Sequence, residues 1–466
     1  MLNVPSLQNP LFWTDSYKPS HFQQYAAGMQ SMFSYVEARK PFHGFDKTLF
    51  FGLQIFLMGF QKPITKHDVL EAESFYALHG EPFNKEGFME IVDTLGGVLP
   101  IRIRAVKEGS IVPIGNVLAT VEPTDDRFGW LASYFEPPIL RSIWYPTTVA
   151  TRSYIAKQII MKYLNQSSDD PEGQVGFKLH DFGSRGVSSQ ESSAIGGAAH
   201  LVSFMGSDNV EGILTANHVY DCDMSGFSIP AAEHSTITSW GVKREKEAYQ
   251  NMVKQFGGKY PAFAVVSDAY DIFNACEKIW GEDLKDEVIN SGSCLVVRPD
   301  SGDPVRVVAK VINILMDKYG YTVNSKGYKV LPNCIRVIQG DGINLDSIEA
   351  ILEELMNNKI SADNIAFGQG GALLQDPSRD DFSFAMKGSA IKLENEWHPI
   401  SKNPITDTSK KSKTGRLDLI KQNDEYQTVS SLSEDIPEIS LLETVFENGK
   451  ILRLQTFDEV RDLASR

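Results

Sequence analysis

Six short apolar runs in the middle of the chain each pass into a turn rich in glycine or aspartate. Most of these runs start about 30–50 residues apart, which is the length of one strand followed by one helix. Repeated units of this kind predict parallel strands joined by helices. The runs are FKLHDFGSRG (177–186), FSIPAAEHS (227–235), AFAVVSDAYD (262–271), CLVVRPDSGD (294–303), IRVIQGDGIN (335–344) and NIAFGQGGAL (364–373).

Amphipathic helical patterns lie between these runs. Two segments carry apolar residues at i, i+3, i+4 and i+7, the spacing that places them on one face of a helix. These residues are Val308, Val311, Ile312 and Leu315 after Pro304, and Ile348, Ile351, Leu352 and Leu355 further on. Ser188 and Glu191 are spaced as in a capping box, which predicts a helix that continues through Ala198 and Ala199.

This alternation favours an α/β barrel, with a doubly wound open sheet as the alternative fold. In both folds the polar turns at the carboxyl ends of the strands meet on one side of the sheet, where active sites form. The two ends of the chain have a different pattern. Residues 101–122 and the last fifty residues contain short strands broken by turns, including a hairpin signal at Asn448-Gly449.

The charge of the chain limits its partners. Its 466 residues carry 45 Lys and Arg against 60 Asp and Glu, giving a formal net charge of −15. Such a surface repels phosphate backbones, so we expect no nucleic-acid partner. An anionic small molecule is still possible if cations are concentrated at its site. The polar and basic segment 401–416 is predicted to be a loop.

Cysteine usage and apolar content favour a cytoplasmic protein. The four cysteines are far apart in the sequence and include no CxxC pair, as expected for free thiols in a reducing compartment. The most apolar stretch, from Thr48 to Phe60, is too short to span a bilayer. The first residues show no signal-peptide pattern, so we expect no membrane association.

Charged residues end three of the predicted strands. Arg298 and Asp300 follow a fully apolar strand, Asp341 stands between two glycines on the next one, and Ser267 and Asp271 close the preceding one. An arginine at a strand end can hold an anion, and an aspartate can bind sugar hydroxyls or stabilise developing positive charge. Structural ion pairs and helix caps are the alternative explanation.

Three further motifs suggest a ligand with a ring and phosphates. Phe182 and Arg185 could stack a planar ring and clamp an anion. His234 is suited to proton transfer or transient phosphorylation. The turn at Gly370-Gly371 lets backbone amides approach a phosphate, with Arg379 and Lys387 downstream. The alternatives are a packed phenylalanine with a surface arginine, a structural histidine and a simple tight turn.

Longer strings resemble the nicotinamide phosphoribosyltransferases, within the nicotinate phosphoribosyltransferase superfamily of type II phosphoribosyltransferases. The resemblance extends from about residue 12 to 460. The strings are TDSYK (14–18), HDFGSRGVSSQE (180–191), PAAEHST (230–236), VVSDAYDIFNACEKIWGEDL (265–284), VRPDSGDP (297–304), NSKGYK (324–329), VIQGDG (337–342), FGQGG (367–371) and TVFENGK (444–450).

This resemblance implies an α/β fold: an irregular α/β barrel and a β-rich α+β domain built from both ends of the chain. The implied barrel domain spans 149–387, and the β-rich domain combines 1–148 with 388–466. The implied assembly is a homodimer with an active site at each subunit interface. In this implied assembly the cations predicted to bind phosphate converge from distant parts of the sequence and from two subunits.

The implied reaction transfers the phosphoribosyl group of 5-phosphoribosyl 1-pyrophosphate (PRPP) to nicotinamide, giving nicotinamide mononucleotide and pyrophosphate. The implied cofactors are Mg²⁺, held mainly by substrate phosphates without dedicated protein ligands, and ATP, an optional activator that phosphorylates a histidine. Two alternatives stay open: a nicotinate phosphoribosyltransferase, and a non-catalytic binding or signalling protein on the same scaffold.

The resemblance also implies roles for individual residues. Asp208 would accept a hydrogen bond from the carboxamide of nicotinamide and repel the carboxylate of nicotinate. The implied nicotinamide-binding residues are Phe182, Asp208, Arg185, Ser267 and, from the partner subunit, Tyr17. The implied phosphoribosyl and phosphate ligands are Arg298, Asp300, Gly340, Asp341, Gly370, Gly371 and Arg379. Pyrophosphate or ATP would meet Arg39 of the partner subunit, Arg185, His234, Lys387 and Lys402. The implied catalytic residues are His234, Asp300, Arg298 and Asp271.

Overall fold

A computed structural model describes residues 4–406 and 411–466 of the chain. Part of the predicted basic loop, 407–410, lies outside the described residues. The chain divides into two compact units. The first contains Met1–Thr151, Asn217–Cys222 and Ser378–Arg466, and the second contains Arg152–Ala216 and Asp223–Pro377.

The strands and the helices are numbered in the order in which they occur along the chain. The strands are β1 (Met29–Glu37), β2 (Lys47–Leu49), β3 (Ile101–Ala105), β4 (Ile111–Pro113), β5 (Val117–Pro123), β6 (Leu179–Asp181), β7 (Gly206–Ser207), β8 (Ala262–Val266), β9 (Cys294–Arg298), β10 (Thr322–Val323), β11 (Lys329–Val330), β12 (Ile335–Gln339), β13 (Ile365–Gln369), β14 (Ala385–Leu393), β15 (Glu396–Pro399), β16 (Arg416–Gln422), β17 (Glu425–Ser431), β18 (Glu443–Glu447) and β19 (Lys450–Ile451). The α-helices are α1 (Leu53–Phe60), α2 (Lys66–His79), α3 (Lys85–Leu95), α4 (Leu131–Tyr134), α5 (Glu136–Ser167), α6 (Pro171–Val175), α7 (Gln190–His200), α8 (Val210–Val219), α9 (His234–Thr238), α10 (Glu245–Phe256), α11 (Ile272–Asn274), α12 (Lys285–Asn290), α13 (Pro304–Tyr319), α14 (Leu345–Asn357), α15 (Gly371–Leu374) and α16 (Phe457–Ala464). A π-helix spans Ala275–Asp283, directly after α11.

The first unit is built on a seven-stranded antiparallel sheet that joins both ends of the chain. Its strand order is β15-β14-β1-β5-β3-β18-β19. The hairpin between β18 and β19 turns at Asn448 and Gly449, whose φ angles are 49° and 74°. Positive φ at both turn positions is the feature that an Asn-Gly hairpin requires, so the sequence signal was correct. The predicted β-rich α+β fold is confirmed.

The second unit is a parallel barrel. Its sheet order is β7-β6-β13-β12-β9-β8, and the extended segment 227–232 bridges the two edge strands. The Phe227 amide donates to the carbonyl of Met205 at 2.8 Å, and the Ala232 amide donates to that of Ala264 at 2.9 Å. The predicted irregular α/β barrel is therefore confirmed over the open sheet. Strand β7 was not predicted, because two residues are too short to show a hydrophobic period.

Side chains alternate along the barrel strands between full burial and partial exposure. Leu179, Leu295 and Val337 are completely buried. Their neighbours His180 and Val296 are partly exposed and belong to the opposite face of the sheet. Successive residues of a strand point to opposite faces, so one face of each strand is fully buried and the other is partly exposed.

The predicted helices form where the apolar spacing placed them. Both predicted apolar faces, on α13 and on α14, are buried in full. The predicted cap of α7 was wrong by one residue. Ser189, rather than Ser188, is the N-cap, and its hydroxyl accepts from the amide of Ser192 at 3.1 Å. No helix within residues 4–406 and 411–466 has the length and apolar character needed to cross a membrane.

Candidate active site

The carboxyl ends of the barrel strands carry most of the polar residues singled out from the sequence. Because all these strands are parallel, their carboxyl ends lie on one side of the barrel. The end of each strand supplies Phe182 (β6), Asp208 (β7), His234 (segment 227–232), Asp268 and Asp271 (β8), Arg298 and Asp300 (β9), Asp341 (β12), and Gly370 and Gly371 (β13).

The ring of Phe182 is fixed against the backbone of the neighbouring strand β13. Its amide donates to the carbonyl of Gln369 at 2.9 Å. A Cβ atom placed on Gly368 would lie only 1.9 Å from Cε2 of the ring, so this position accommodates glycine alone without moving the phenylalanine. The guanidinium of Arg298 lies 5.5 Å from the ring centroid. A partly exposed aromatic ring with a cation beside it suits a planar ligand that carries an anionic group.

Asp181, which sequence reasoning passed over, ties the ends of β6 and β7 together. Its carboxylate accepts from the Gly183 amide at 2.7 Å and from Nδ2 of Asn209 at 2.9 Å. Burial raises the pKa of this carboxyl to about 6, against these stabilising hydrogen bonds. Phe182 and Asp208 are the direct neighbours of this bonded pair. The only sequence signal was the HDFG string, in which an acid ends an apolar run.

The other predicted ring-binding residues differ in exposure. Asp208 is exposed, and its Oδ1 accepts from the hydroxyl of Ser228. Arg185 is also exposed, in the short turn Ser184–Gly186. Ser267, in contrast, is completely buried, and its hydroxyl donates to the carbonyl of Val265 at 2.9 Å. The same hydroxyl accepts from Nε1 of Trp280 at 3.1 Å, so Ser267 stabilises the end of β8 from the protein interior.

Arg298 and Asp300 form an ion pair at the end of β9. Nη2 and Nε of the arginine donate to Oδ1 of the aspartate at 2.7 and 3.1 Å. Both side chains are about one-fifth exposed. A Cβ atom on Gly340 would lie 3.0 Å from Nε of Arg298, so this glycine gives the guanidinium its space. Asp341, on the adjacent strand end, is exposed. The remaining donors of Arg298 stay available to an anion.

His234 begins the short helix α9 and bonds to an aspartate that the sequence did not single out. Its Nε2 lies 3.0 Å from Oδ1 of Asp268. The histidine side chain is 48% exposed, whereas that of Asp268 is 5% exposed. Asp271, which was predicted, caps α11 by accepting from the amides of Phe273 and Asn274 at 3.0 and 3.1 Å. The string VVSDAYD offers three polar residues, and only the fold shows which one meets the histidine.

The glycine turn after β13 packs closely against the loop after β6. A Cβ atom on Gly186 would lie 3.0 Å from Cα of Gly371. Gly370 and Gly371 open the short helix α15, whose first amides have no partner within the helix. This close approach of two backbones explains why both loops are rich in glycine.

The first unit gathers a separate set of cations. Lys387 is on β14, opposite Tyr35 of β1 in the register of the sheet. Burial lowers the pKa of the Lys387 ammonium, and the neighbouring charges of Arg39, Lys402 and Lys413 lower it further. Glu37 partly offsets this effect and pairs with Lys413, but the four cations outnumber this one carboxylate, so the cluster favours an anionic ligand.

Three other predicted residues of the first unit are near its surface. Nε of Arg39 donates to the carbonyl of Ser383 at 3.0 Å, and Arg379 begins the turn that contains this carbonyl. Arg379 itself is half-exposed and lies 3.3 Å from Asp380. Tyr17 is 54% exposed, with its ring centroid 5.1 Å from that of His21. Such accessible groups can meet a ligand or another subunit.

Comparison with known proteins identifies the family of this chain. The model of the nicotinate phosphoribosyltransferase family matches residues 177–450. The model of the N-terminal domain of nicotinamide phosphoribosyltransferase matches residues 9–103. The chain belongs to the nicotinate phosphoribosyltransferase family. The resemblance found in the sequence is confirmed.

Two curated relatives match this chain over nearly its full length. The nicotinamide phosphoribosyltransferase of Xanthomonas campestris pv. campestris is 51% identical over 461 residues, covering 98% of each chain. The nicotinamide phosphoribosyltransferase of Acinetobacter baylyi is 30% identical over 491 residues, covering 97% of this chain and 96% of its own.

Two solved structures share the fold. Nicotinate-nucleotide pyrophosphorylase from Pyrococcus furiosus superposes with a TM-score of 0.61 at 16% identity, covering 100% of this chain and 96% of its own. Human nicotinic acid phosphoribosyltransferase gives a TM-score of 0.54 at 16% identity, covering 100% and 93%. Likeness at this identity concerns the fold alone.

Proposed function

We propose that this chain transfers the phosphoribosyl group of PRPP to nicotinamide, releasing pyrophosphate and nicotinamide mononucleotide. The observation that carries the proposal is the 51% identity, over 98% of both chains, to a relative named nicotinamide phosphoribosyltransferase. The match of residues 9–103 to the N-terminal domain of that enzyme supports nicotinamide rather than nicotinate. The strand-end cluster of the barrel supplies side chains suited to the reaction.

Nicotinamide binds through its flat ring. Phe182 offers one stacking surface, and Tyr17 of the partner subunit offers the other. Asp208 accepts a hydrogen bond from the carboxamide NH₂ and would repel the carboxylate of nicotinate. Arg185 lies near the amide oxygen and the phosphates. Ser267 acts indirectly, because its buried hydroxyl holds the end of β8.

The pyridine nitrogen then attacks the anomeric carbon of PRPP as pyrophosphate leaves. This nitrogen needs no general base, since its lone pair is free, so positioning supplies much of the rate. The carboxylates of Asp300 and Asp341 stabilise the positive charge that develops on the sugar. Asp271 shapes the site as a helix cap. The phosphoribosyl group is held by Arg298, Gly340, Gly370, Gly371 and Arg379.

Cations neutralise the departing pyrophosphate. We assign this role to Lys387, Lys402 and Arg39 of the partner subunit, because their positive charges suit the phosphates of the leaving group. The residues present also fit Mg²⁺, because Asp300 and Asp341 are accessible carboxylates on adjacent strand ends and the substrate brings further oxygens. When bound, Mg²⁺ would offset charge on the pyrophosphate. The described residues contain no group of three or more His, Cys, Asp or Glu side chains placed to hold a metal.

ATP acts in this scheme as an optional activator that phosphorylates His234. The half-exposed imidazole at a strand end, bonded to a nearly buried carboxylate, supports this role. We expect His234→Ala to abolish ATP hydrolysis and ATP stimulation while leaving measurable synthesis without ATP. Release of phosphate from ATP and formation of mononucleotide, measured on the same samples, check this prediction. Retained ATP hydrolysis in His234→Ala would refute the assignment.

We also propose that the protein is a cytoplasmic homodimer. Four free cysteines agree with a reducing compartment. The accessible Tyr17 and Arg39 are assigned to the partner's site, so an isolated subunit would lack part of each pocket.

One assay tests the proposed reaction. Purified protein is incubated with PRPP, Mg²⁺ and either nicotinamide or nicotinate, and both mononucleotides are quantified by chromatography. We expect nicotinamide mononucleotide at a rate that exceeds the nicotinate product at least about tenfold. A higher rate with nicotinate would identify nicotinate, rather than nicotinamide, as the preferred substrate. No product from either base, together with binding of nicotinamide, would favour a non-catalytic role.

A further inference from the structure

The hydrogen bond between His234 and Asp268 determines which ring nitrogen of the histidine can act. Nε2 faces Oδ1 of Asp268 at 3.0 Å. A carboxylate only accepts hydrogen bonds, so Nε2 must carry a proton in this arrangement. In the neutral imidazole the lone pair is then on Nδ1. Within the described residues, Nδ1 takes part in no hydrogen bond, so its lone pair is free.

The surroundings of the two residues make this arrangement asymmetric. Asp268 is 5% exposed and follows Ser267, whose amide donates to the carbonyl of Arg298 at 2.9 Å. The buried end of β8 therefore holds the carboxylate in place. His234 is 48% exposed at the first position of α9. The fixed partner is the acid, and the accessible partner is the ring that must meet a ligand.

We infer that Asp268 is a positioning residue that holds His234 as its Nε2–H tautomer and makes Nδ1 the phosphoryl acceptor. This inference rests on the proposed phosphorylation of His234 by ATP. The lone pair of Nδ1 attacks the γ-phosphorus of ATP, the bond from that phosphorus to the bridging oxygen breaks, and ADP leaves. The ring keeps its Nε2 proton and becomes positively charged, and the carboxylate of Asp268 balances that charge.

The same contact has a second consequence for the phosphorylated state. A phosphohistidine that keeps its Nε2 proton holds its phosphoryl group more weakly than the unprotonated form, because neutral imidazole is a better leaving group than the imidazolide anion. Water then attacks the phosphorus, releasing phosphate and restoring the neutral ring. Asp268 thus supports both formation and discharge of the phosphohistidine without touching ATP.

Nuclear magnetic resonance separates this role from simple support of the fold. In protein labelled with ¹⁵N-histidine, with the His234 signals assigned by His234→Gln, we expect the Nε2–H tautomer in the parent and a mixture in Asp268→Asn. After incubation with ATP, ³¹P–¹H correlation spectra should place the phosphoryl group on Nδ1. We expect the initial rate of phosphorylation to fall on the order of 100-fold in Asp268→Asn.

Matched variants control for loss of structure. Asp283→Asn removes an exposed carboxylate of the same unit, paired with Lys246 at 3.3 Å, and should match the parent in phosphorylation. Asp268→Glu keeps a carboxylate and should recover part of the rate that Asp268→Asn loses. The ratio of ATP-stimulated to ATP-independent synthesis should fall in Asp268→Asn, whereas a general structural defect would lower both alike.

The outcomes are distinguishable. A phosphoryl group on Nε2 of His234 in the parent, or equal phosphorylation rates in parent and Asp268→Asn, would overturn the inference while leaving the proposed ATP coupling intact. A parent that makes mononucleotide but never forms phosphohistidine would overturn the ATP coupling and this inference together. A parent that makes no mononucleotide but carries Nδ1-phosphohistidine would refute the proposed transferase activity and support the inference.

Discussion

Asp208 is the residue on which the choice between an amide and an acid depends in the proposed site. Its exposed carboxylate follows β7. Oδ1 accepts from the Ser228 hydroxyl, and Oδ2 can accept from the NH₂ group of nicotinamide. We predict that Asp208→Asn lowers the preference for nicotinamide over nicotinate about tenfold, equal to about 1.4 kcal/mol, because the repulsion of nicotinate is lost. The ratio of kcat/KM for the two bases measures the change.

A control aspartate distinguishes this local effect from a change in overall charge. Asp317 is exposed on α13, away from the strand ends, so Asp317→Asn removes the same charge. It should keep the parent's preference between the two bases. An unchanged preference in Asp208→Asn would remove Asp208 from the explanation of specificity.

Asp181 gives a pH dependence whose sign follows from burial. Its pKa rises from 3.8 in the reference state to about 6 in the folded protein, so the folded state binds the proton more tightly. Ionising this carboxyl therefore costs folding free energy that accumulates as pH rises from about 4 to about 6, to about 3 kcal/mol. Above both pKa values this contribution is constant.

Thermal unfolding of Asp181→Asn checks that sign. The variant cannot ionise at this position, so the melting temperature of the parent relative to the variant should fall between about pH 4 and about pH 6 and then level off. Two melting profiles that stay parallel across this range would show that Asp181 does not titrate as inferred.

At the scale of elements, the packing of β6 against β13 sets the position of the stacking ring. Gly368 of β13 leaves room for the Phe182 ring, where a Cβ atom would lie 1.9 Å away. We predict that Gly368→Ala displaces this ring and raises the KM for nicotinamide about fivefold, consistent with the loss of an aromatic contact of about 1 kcal/mol. The KM for PRPP should change less. Steady-state kinetics with each substrate varied in turn measures both constants.

Gly59→Ala is the matched control for this substitution. Gly59 lies in α1, and a Cβ atom there would meet nothing within 4 Å. The added methyl should leave both KM values as in the parent, since alanine also suits a helix better than glycine. If Gly368→Ala binds nicotinamide as the parent does, Phe182 is not the stacking surface.

At the scale of the whole molecule, the proposed dimer implies that each site uses residues of two chains. A mixed dimer of Tyr17→Ala and Phe182→Ala would then contain one site with both rings and one site with neither. Each variant alone should be nearly inactive, whereas the mixed dimer should keep about half of the parent activity. Random mixing on co-expression makes about half of all dimers mixed, so the unfractionated preparation should show roughly a quarter. Each variant carries a different affinity tag, so that purification through both tags isolates the mixed dimer. Activity measured before and after this purification checks the two expected fractions.

The opposite arrangement gives a different result. If Tyr17 and Phe182 serve the same site from the same chain, every site of the mixed dimer lacks one ring, and mixing restores nothing. A preparation that stays monomeric by light scattering at the assay concentration, yet is fully active, would also contradict the shared site.

Net charge, another property of the whole molecule, disfavoured one class of partner but could not locate the site. The charge of −15 disfavours nucleic acid. The cations assigned to phosphate are few, and those around Lys387 come from three separate segments of the chain. A sum over all residues has no information about such local concentration, because it discards position.

Local patterns were sufficient for the elements of the fold. The faces of α13 and α14, the Asn448-Gly449 hairpin and five of the six predicted parallel strands were correct, because each depends on residues that are close in sequence. The run at 227–235 forms an extended segment with isolated bridges instead of a strand. The family resemblance added the barrel and the reaction class. Strand β7 and the cap of α7 were missed or misplaced, since two residues or one hydroxyl leave no periodic signal.

The sequence by itself determined the residue types that the chemistry needs and the strand ends on which they stand. Only the tertiary structure decided which of them meet. It paired His234 with Asp268 rather than Asp271, placed Ser267 in the interior, and put Gly368 beneath Phe182. The physical reason is distance along the chain: such contacts depend on strand order and side-chain direction, which a hydrophobic period does not contain.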